Sequence, residues 1–68
     1  MKKGTVRDVY ELMKDGQPTN YYELSLATGK SRNQVATAVA YLREEGHVIS
    51  TVSKGGHYLA TLIYKGYF

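Results

Sequence analysis

Residues 20–45, NYYELSLATGKSRNQVATAVAYLREE, constrain the fold more than any other stretch of this chain. They read as two helices joined by a glycine turn, and the second helix has two faces with opposite jobs. Val35, Ala38, Val39 and Leu42 recur at i, i+3, i+4 and i+7, so one stripe is built to be buried. At about 100° per residue, Asn33, Thr37, Ala40 and Glu44 centre on the opposite side, flanked by Gln34, Ala36 and Tyr41. An ordinary surface helix carries long charged side chains there. The N-terminal half of this face is instead small or hydrogen-bonding, the form a helix needs in order to enter a groove.

Length and composition bound the rest. The 68 residues make one domain, and a chain this short buries only about 60% of its unfolded surface, so regular elements and short turns are required. With no cysteine, neither a disulfide nor a thiolate zinc site can staple it, and the usual reason to place a small domain outside the cell is missing. No apolar run approaches the roughly 18 residues of a membrane span, and Met1-Lys2-Lys3-Gly4 is not followed by the apolar core of a signal peptide. A soluble, cytoplasmic chain is expected.

Nine Lys and Arg against six Asp and Glu give a formal charge of +3, which permits a nucleic-acid partner without demanding one. Placement says more than the sum. Lys30 and Arg32 open the second of the two helices, Lys54 sits in a glycine turn, and Lys2, Lys3 and Arg7 lie near the start. No acid occurs between Glu23 and Glu44.

The whole chain can be divided on the same grounds. A first helix is expected over about residues 5–15, capped by Thr5, with Val6, Val9, Tyr10 and Met13 as its apolar stripe, Leu12 beside it and Gly16 as its exit. Gln17-Pro18-Thr19 is a linker, because proline denies its predecessor a comfortable helical conformation. Asn20, with Glu23 in capping-box spacing, starts a helix over 21–28 that turns Leu24 and Ala27 inward. Ser31, with Gln34, starts the helix over 31–45, and Gly46 stops it. The period then changes from 3.6 to 2. Residues 47–53 and 57–64 are rich in β-branched and aromatic side chains, and Lys54-Gly55-Gly56 joins them as a hairpin turn.

This order resembles a winged helix-turn-helix domain, and the resemblance covers about residues 5–62. In such motifs the turn glycine follows a small residue by four positions and precedes a β-branched one by six. Gly29, Ser25 and Val35 occupy those places. A strand, a glycine-rich tip with a base and an aromatic-led return strand (Tyr58, Leu59) resemble the wing. The resemblance implies a small α+β fold, three helices followed by a two-stranded β-hairpin wing, and double-stranded DNA as ligand. Some members of the fold bind left-handed DNA through a helix asparagine and tyrosine and a proline–tryptophan wing. Ala36 and Ala40 stand at those helix positions, with no tryptophan and no wing proline, which sets that subfamily aside.

The candidate contacts divide by chemistry. Arg32 and Asn33, in the first turn of the second motif helix, can bridge guanine and pair with adenine; Ala36 and Thr37 can meet a thymine methyl and let the backbone come close. Each also has a plainer reading, as part of a solvated polar turn or an exposed helix face. Lys30, Ser31, Tyr21, Tyr22, Lys54 and His57 are the phosphate-side candidates, the two tyrosines because they stand at a helix N-terminus. For Lys54 and His57 the plain alternative is an exposed turn and an ordinary strand residue. Tyr10 and Tyr58 are expected in the core with their hydroxyls at the surface. The apolar tail 63–68 either folds back on the first helix or forms a dimer contact.

Nothing in the sequence has catalytic spacing. Two histidines, a rough face of Asp8, Glu11 and Asp15, and no nucleophile–base pair, phosphate-cradling loop or metal-ligand cluster point to a non-enzymatic chain with no cofactor and no small-molecule ligand. The leading expectation is a sequence-preferring DNA-binding protein, a small transcriptional regulator, nucleoid-associated if bacterial or phage. A single module of this kind calls for a homodimer or neighbouring copies to bind tightly. A protein-interaction winged helix is the competing expectation, and RNA binding a third.

Overall fold

The computed structural model describes residues 4–52 and 60–67. Three helices, α1 (Thr5–Met13), α2 (Tyr21–Thr28) and α3 (Arg32–Glu44), are followed by the strands β1 (His47–Val52) and β2 (Thr61–Tyr67). The strands pair antiparallel, which gives a small α+β fold with the winged-helix layout. Its core is Val6, Val9 and Met13 from α1, Leu24 from α2, Val35, Ala38, Val39 and Leu42 from α3, and Ile49 and Leu62 from the strands. The α3 stripe is therefore buried over its whole length, as its period dictates.

The helix ends follow local chemistry. Ser31 and Gln34 form a complete capping box: the Gln34 amide donates to Ser31 Oγ at 3.2 Å, and the Ser31 amide donates to Gln34 Oε1 at 3.0 Å. At α2 only half of the box forms. The Glu23 amide donates to Asn20 Oδ1 at 2.8 Å, while the Glu23 carboxylate accepts from the Thr19 hydroxyl at 3.3 Å. Helix α1 is shorter than 5–15. Gly4, at φ 76°, takes the N-cap position, so Thr5 is the first helical residue and caps nothing. At the other end Asp15 has left the helix, and its carboxylate accepts from the Gln17 amide at 3.0 Å in a local turn.

Ala27 corrects another expectation, because it is exposed. Leu24 is buried, and Tyr21 and Thr28 are half-buried on one side of it. At about 100° per residue those three define the inward arc, and Ala27 falls about 60° outside it, beyond Leu24.

Among the described residues the second strand is Thr61–Tyr67, which runs past the expected end at 64; residues 57–59 of the expected strand lie outside the described residues. His47 pairs with Tyr67, Val48 with Gly66 and Ile49 with Tyr64, with a bulge between Val48 and Ile49 that Lys65 accommodates. The tail is thus a strand whose residues meet α1. Tyr10 and Tyr64 stand edge to face with ring centroids 5.8 Å apart, and His47 packs against both and against Tyr67 at 4.8 Å. His47 is only 9% exposed, and its Nδ1 lies 2.7 Å from the Tyr64 hydroxyl, so the buried ring nitrogen has a partner. Burial holds the Tyr64 hydroxyl above the ordinary tyrosine pKa, with nearby Tyr10 adding to the effect. Thr19 is more than linker. Its amide donates to Leu62 O at 2.9 Å and its carbonyl accepts from the Leu62 amide at 2.7 Å, an isolated antiparallel bridge on the side of β2 away from β1.

Candidate nucleic-acid interface

The α2–α3 turn is built around Gly29, which caps α2 at φ 72° and donates its amide to Ser25 O at 2.9 Å. Two hydroxyls knit the turn further. Ser25 Oγ donates to the Lys30 carbonyl, and Thr28 Oγ1 donates to Leu24 O at 2.7 Å while accepting from the Lys30 amide at 3.2 Å. A Cβ at position 29 would meet nothing within 4 Å, so the demand for glycine here is conformational and not steric. Gly29→Val should therefore lower stability by about 1–3 kcal/mol, the cost of holding a β-branched residue in a left-handed conformation. Thermal unfolding followed by circular dichroism checks this, and an unchanged melting temperature would mean the turn tolerates a different backbone.

On the rigid turn stands α3. Arg32, Asn33, Ala36 and Thr37 are all exposed; at about 100° per residue Asn33 and Thr37 lie opposite the buried stripe, while Ala36 and Arg32 stand on its flank, with Arg32 next to the Val39 edge. The Thr37 hydroxyl donates to Asn33 O at 2.9 Å, which spends its hydrogen on the helix. A shallow recess lined by Ser25, Ser31, Arg32 and Asn33 opens at the mouth of the turn. On the other flank, Thr5 and Val6 of α1 join Asn33, Gln34, Thr37 and Ala38 around a mostly apolar depression. The beginning of α1 therefore borders this surface.

The phosphate-side candidates fall into three groups. Lys30 is half-buried and Ser31 exposed beside the recess, the latter with its Oγ already accepting the Gln34 amide. Of the two tyrosines, Tyr22 is 57% exposed, whereas Tyr21 packs against the core. Lys54 and His57, with Gly55, Gly56, Tyr58, Leu59, Lys2 and Lys3, lie outside the described residues.

Charge is graded along α3. Its start carries Arg32 and follows Lys30, while Glu44 and Glu45 stand at its end. Burial first, and then a hydrogen bond from Tyr41 to Glu45, raise the Tyr41 hydroxyl above its ordinary pKa. A separate cleft between α1 and α2, lined by Asp8, Glu11, Leu12, Ala27 and Thr28, is acidic and unsuited to phosphate. The Lys14 ammonium, 2.8 Å from Glu11 and hydrogen-bonded to it, holds that carboxyl below its usual range; both groups are exposed, so the pair adds little to stability.

Arg43 was not legible as a positioning residue. Its Nε and Nη2 donate to the Ile49 carbonyl at 3.2 and 2.7 Å, and Nη2 also donates to Thr51 Oγ1, so the last turn of α3 is tied to β1. The only local signal is an arginine in the last helical turn just before a strand. Among the described residues no group of three His, Asp or Glu side chains could hold a metal ion, and no helix is long and apolar enough to cross a membrane. No protein-family model, curated protein or solved structure matches the chain.

Proposed function

We propose that this chain is a winged helix-turn-helix protein that binds double-stranded DNA with sequence preference, a small intracellular transcriptional regulator with no enzymatic activity. One observation carries the reading. Arg32, Asn33, Ala36 and Thr37 are exposed together on a helix whose apolar stripe is locked into the core. Such a helix can enter a major groove without disturbing the fold. Arg32 and Asn33 supply hydrogen bonds to base edges, and Ala36 and Thr37 supply methyl contact. Lys30, Ser31 and Tyr22 set the position on phosphates, which fixes register but not sequence. Lys54 and His57 join them on the sequence reading alone.

The competing reading is a protein-interaction module. Tyr22 and Leu26, 57% and 67% exposed and one turn apart on α2, favour it, since an apolar pair on an outer helix face suits a protein partner. Selection of bound duplexes from a random library by mobility shift decides between them. Enrichment of a sequence motif supports DNA reading, and a library that stays random after repeated rounds supports the protein partner.

A further inference from the structure

Two polar side chains of α3 are exposed yet have their hydrogen-bond roles already assigned by the helix. Gln34 belongs to the capping box, where its side chain meets the Ser31 amide at 3.0 Å. A backbone N–H only donates, so the atom it meets is Oε1, and the orientation of the Gln34 amide group is fixed. The end of that group not used by the cap is the NH2, which carries two donors and no acceptor. Thr37 is committed in the opposite sense. Its Oγ1 lies 2.9 Å from the Asn33 carbonyl, which only accepts, so the hydroxyl hydrogen belongs to the helix. What remains on Thr37 is oxygen lone pairs. The two residues are three apart, hence neighbours on the helix surface, and both line the depression beside Thr5 and Val6.

We infer that Gln34 and Thr37 form a donor–acceptor pair of fixed polarity that selects one adenine. This rests on the reading of α3 as the helix that enters the major groove. On a single base edge there, adenine alone carries an acceptor, N7, beside a donor, the N6 amino group. Guanine shows two acceptors, cytosine only a donor and thymine only an acceptor. The Gln34 NH2 donates to N7 while Thr37 Oγ1 accepts from N6, and both side chains keep their contacts with the helix. A guanine at that position sets O6 against the Thr37 lone pairs, so two acceptors meet with no hydrogen between them. Both groups are held before DNA arrives, so little side-chain freedom is lost on binding. The pairing adds Gln34 to the base-reading set and gives Thr37 a hydrogen bond beside its methyl contact.

Duplexes selected from a random library, with single atoms of one base then replaced, test this. The selected motif should contain an adenine whose exchange for any other base weakens binding about tenfold. Unsubstituted purine at that place lacks the N6 amino group. It should weaken the wild-type chain by a similar factor, whereas Thr37→Val, which keeps the branched shape without the oxygen, should bind both duplexes equally. 7-Deazaadenine lacks the N7 acceptor. It should weaken wild type, whereas Gln34→Glu should bind both duplexes equally; a glutamate still accepts the Ser31 amide, so the capping box survives. Each comparison is a ratio between two duplexes for one variant, so the charge added by Gln34→Glu cancels. A library with no enriched sequence would remove the DNA reading and this inference with it. A motif without such an adenine, or variants that respond to the two analogues as wild type does, would overturn the pairing alone and leave the DNA reading standing.

Discussion

Leu42→Ala is expected to lower stability by about 2–5 kcal/mol, the usual cost of emptying a fully buried leucine site. Leu42 has no exposed surface and sits at the far end of the α3 stripe, where the core gathers side chains from α1, α3 and the strands. At about 0.05–0.15 kcal/mol per residue, a chain of 68 residues holds only about 3–10 kcal/mol in total. The substitution therefore removes a large share of it. Thermal unfolding should show the midpoint falling by more than about 10 °C, at roughly 4–8 °C per kcal/mol for a domain this size. Duplex binding should fail at the same temperature as the fold, because the outer face of α3 exists only while its inner stripe is packed. A midpoint shift under about 4 °C would mean that Leu42 is not holding α3 in place.

Arg32→Ala should act on recognition with the fold intact. Its side chain is exposed in the first turn of α3, where a guanidinium can reach both acceptors of one guanine. The expected loss is about 1–3 kcal/mol on the preferred duplex, with discrimination relaxed at a single base position. Lys30→Ala should instead weaken preferred and random duplexes by a similar factor, since a phosphate contact carries no sequence information. Titration of both variants against one selected and one scrambled duplex separates the roles. Equal losses on both duplexes from Arg32→Ala would remove it from the base-reading set.

What the sequence shows of this fold is what local periodicity and local hydrogen bonding determine. The α3 stripe follows from a spacing of 3.6, the Ser31–Gln34 box from residues three apart, and the Gly29 turn from a backbone conformation that other residues resist. Features set by distant partners were not legible. The strand through Tyr67 depends on a register that His47, Val48 and Ile49 impose from the other strand, and a bulge carries it past Tyr64, where the apolar run is broken by Lys65. The Thr19–Leu62 bridge joins residues forty-three positions apart in sequence (62 − 19), with nothing local to mark it. Ala27 was misplaced because an eight-residue helix leaves its inward arc undetermined until Tyr21 and Thr28 are seen to share it with Leu24.

The candidate site divides in the same way. Exposure of Asn33, Ala36 and Thr37 follows from the buried stripe on the other side of their own helix, so it could be read in advance, whereas Arg32 lies beside that stripe in the first turn of α3. The Arg43 clamp on Ile49 and Thr51 could not, because the direction of a helix's last side chain depends on where the next strand goes. The half-burial of Tyr21 beside the exposed Tyr22 likewise waits on how α2 is seated.

The most direct test of DNA reading by α3 is duplex affinity measured against salt. If Lys30, Lys54 and the N-terminal lysines neutralise phosphates, each subunit should make roughly three to four such contacts, and the logarithm of affinity should fall against the logarithm of salt with a slope of about −3 to −4 per subunit. A selected duplex should remain bound more tightly than a scrambled one at every salt concentration, because base contacts persist when the phosphate contribution is screened. Affinity that vanishes by physiological salt, with selected and scrambled duplexes indistinguishable throughout, would contradict the account and leave α3 as the outer face of a protein-binding module.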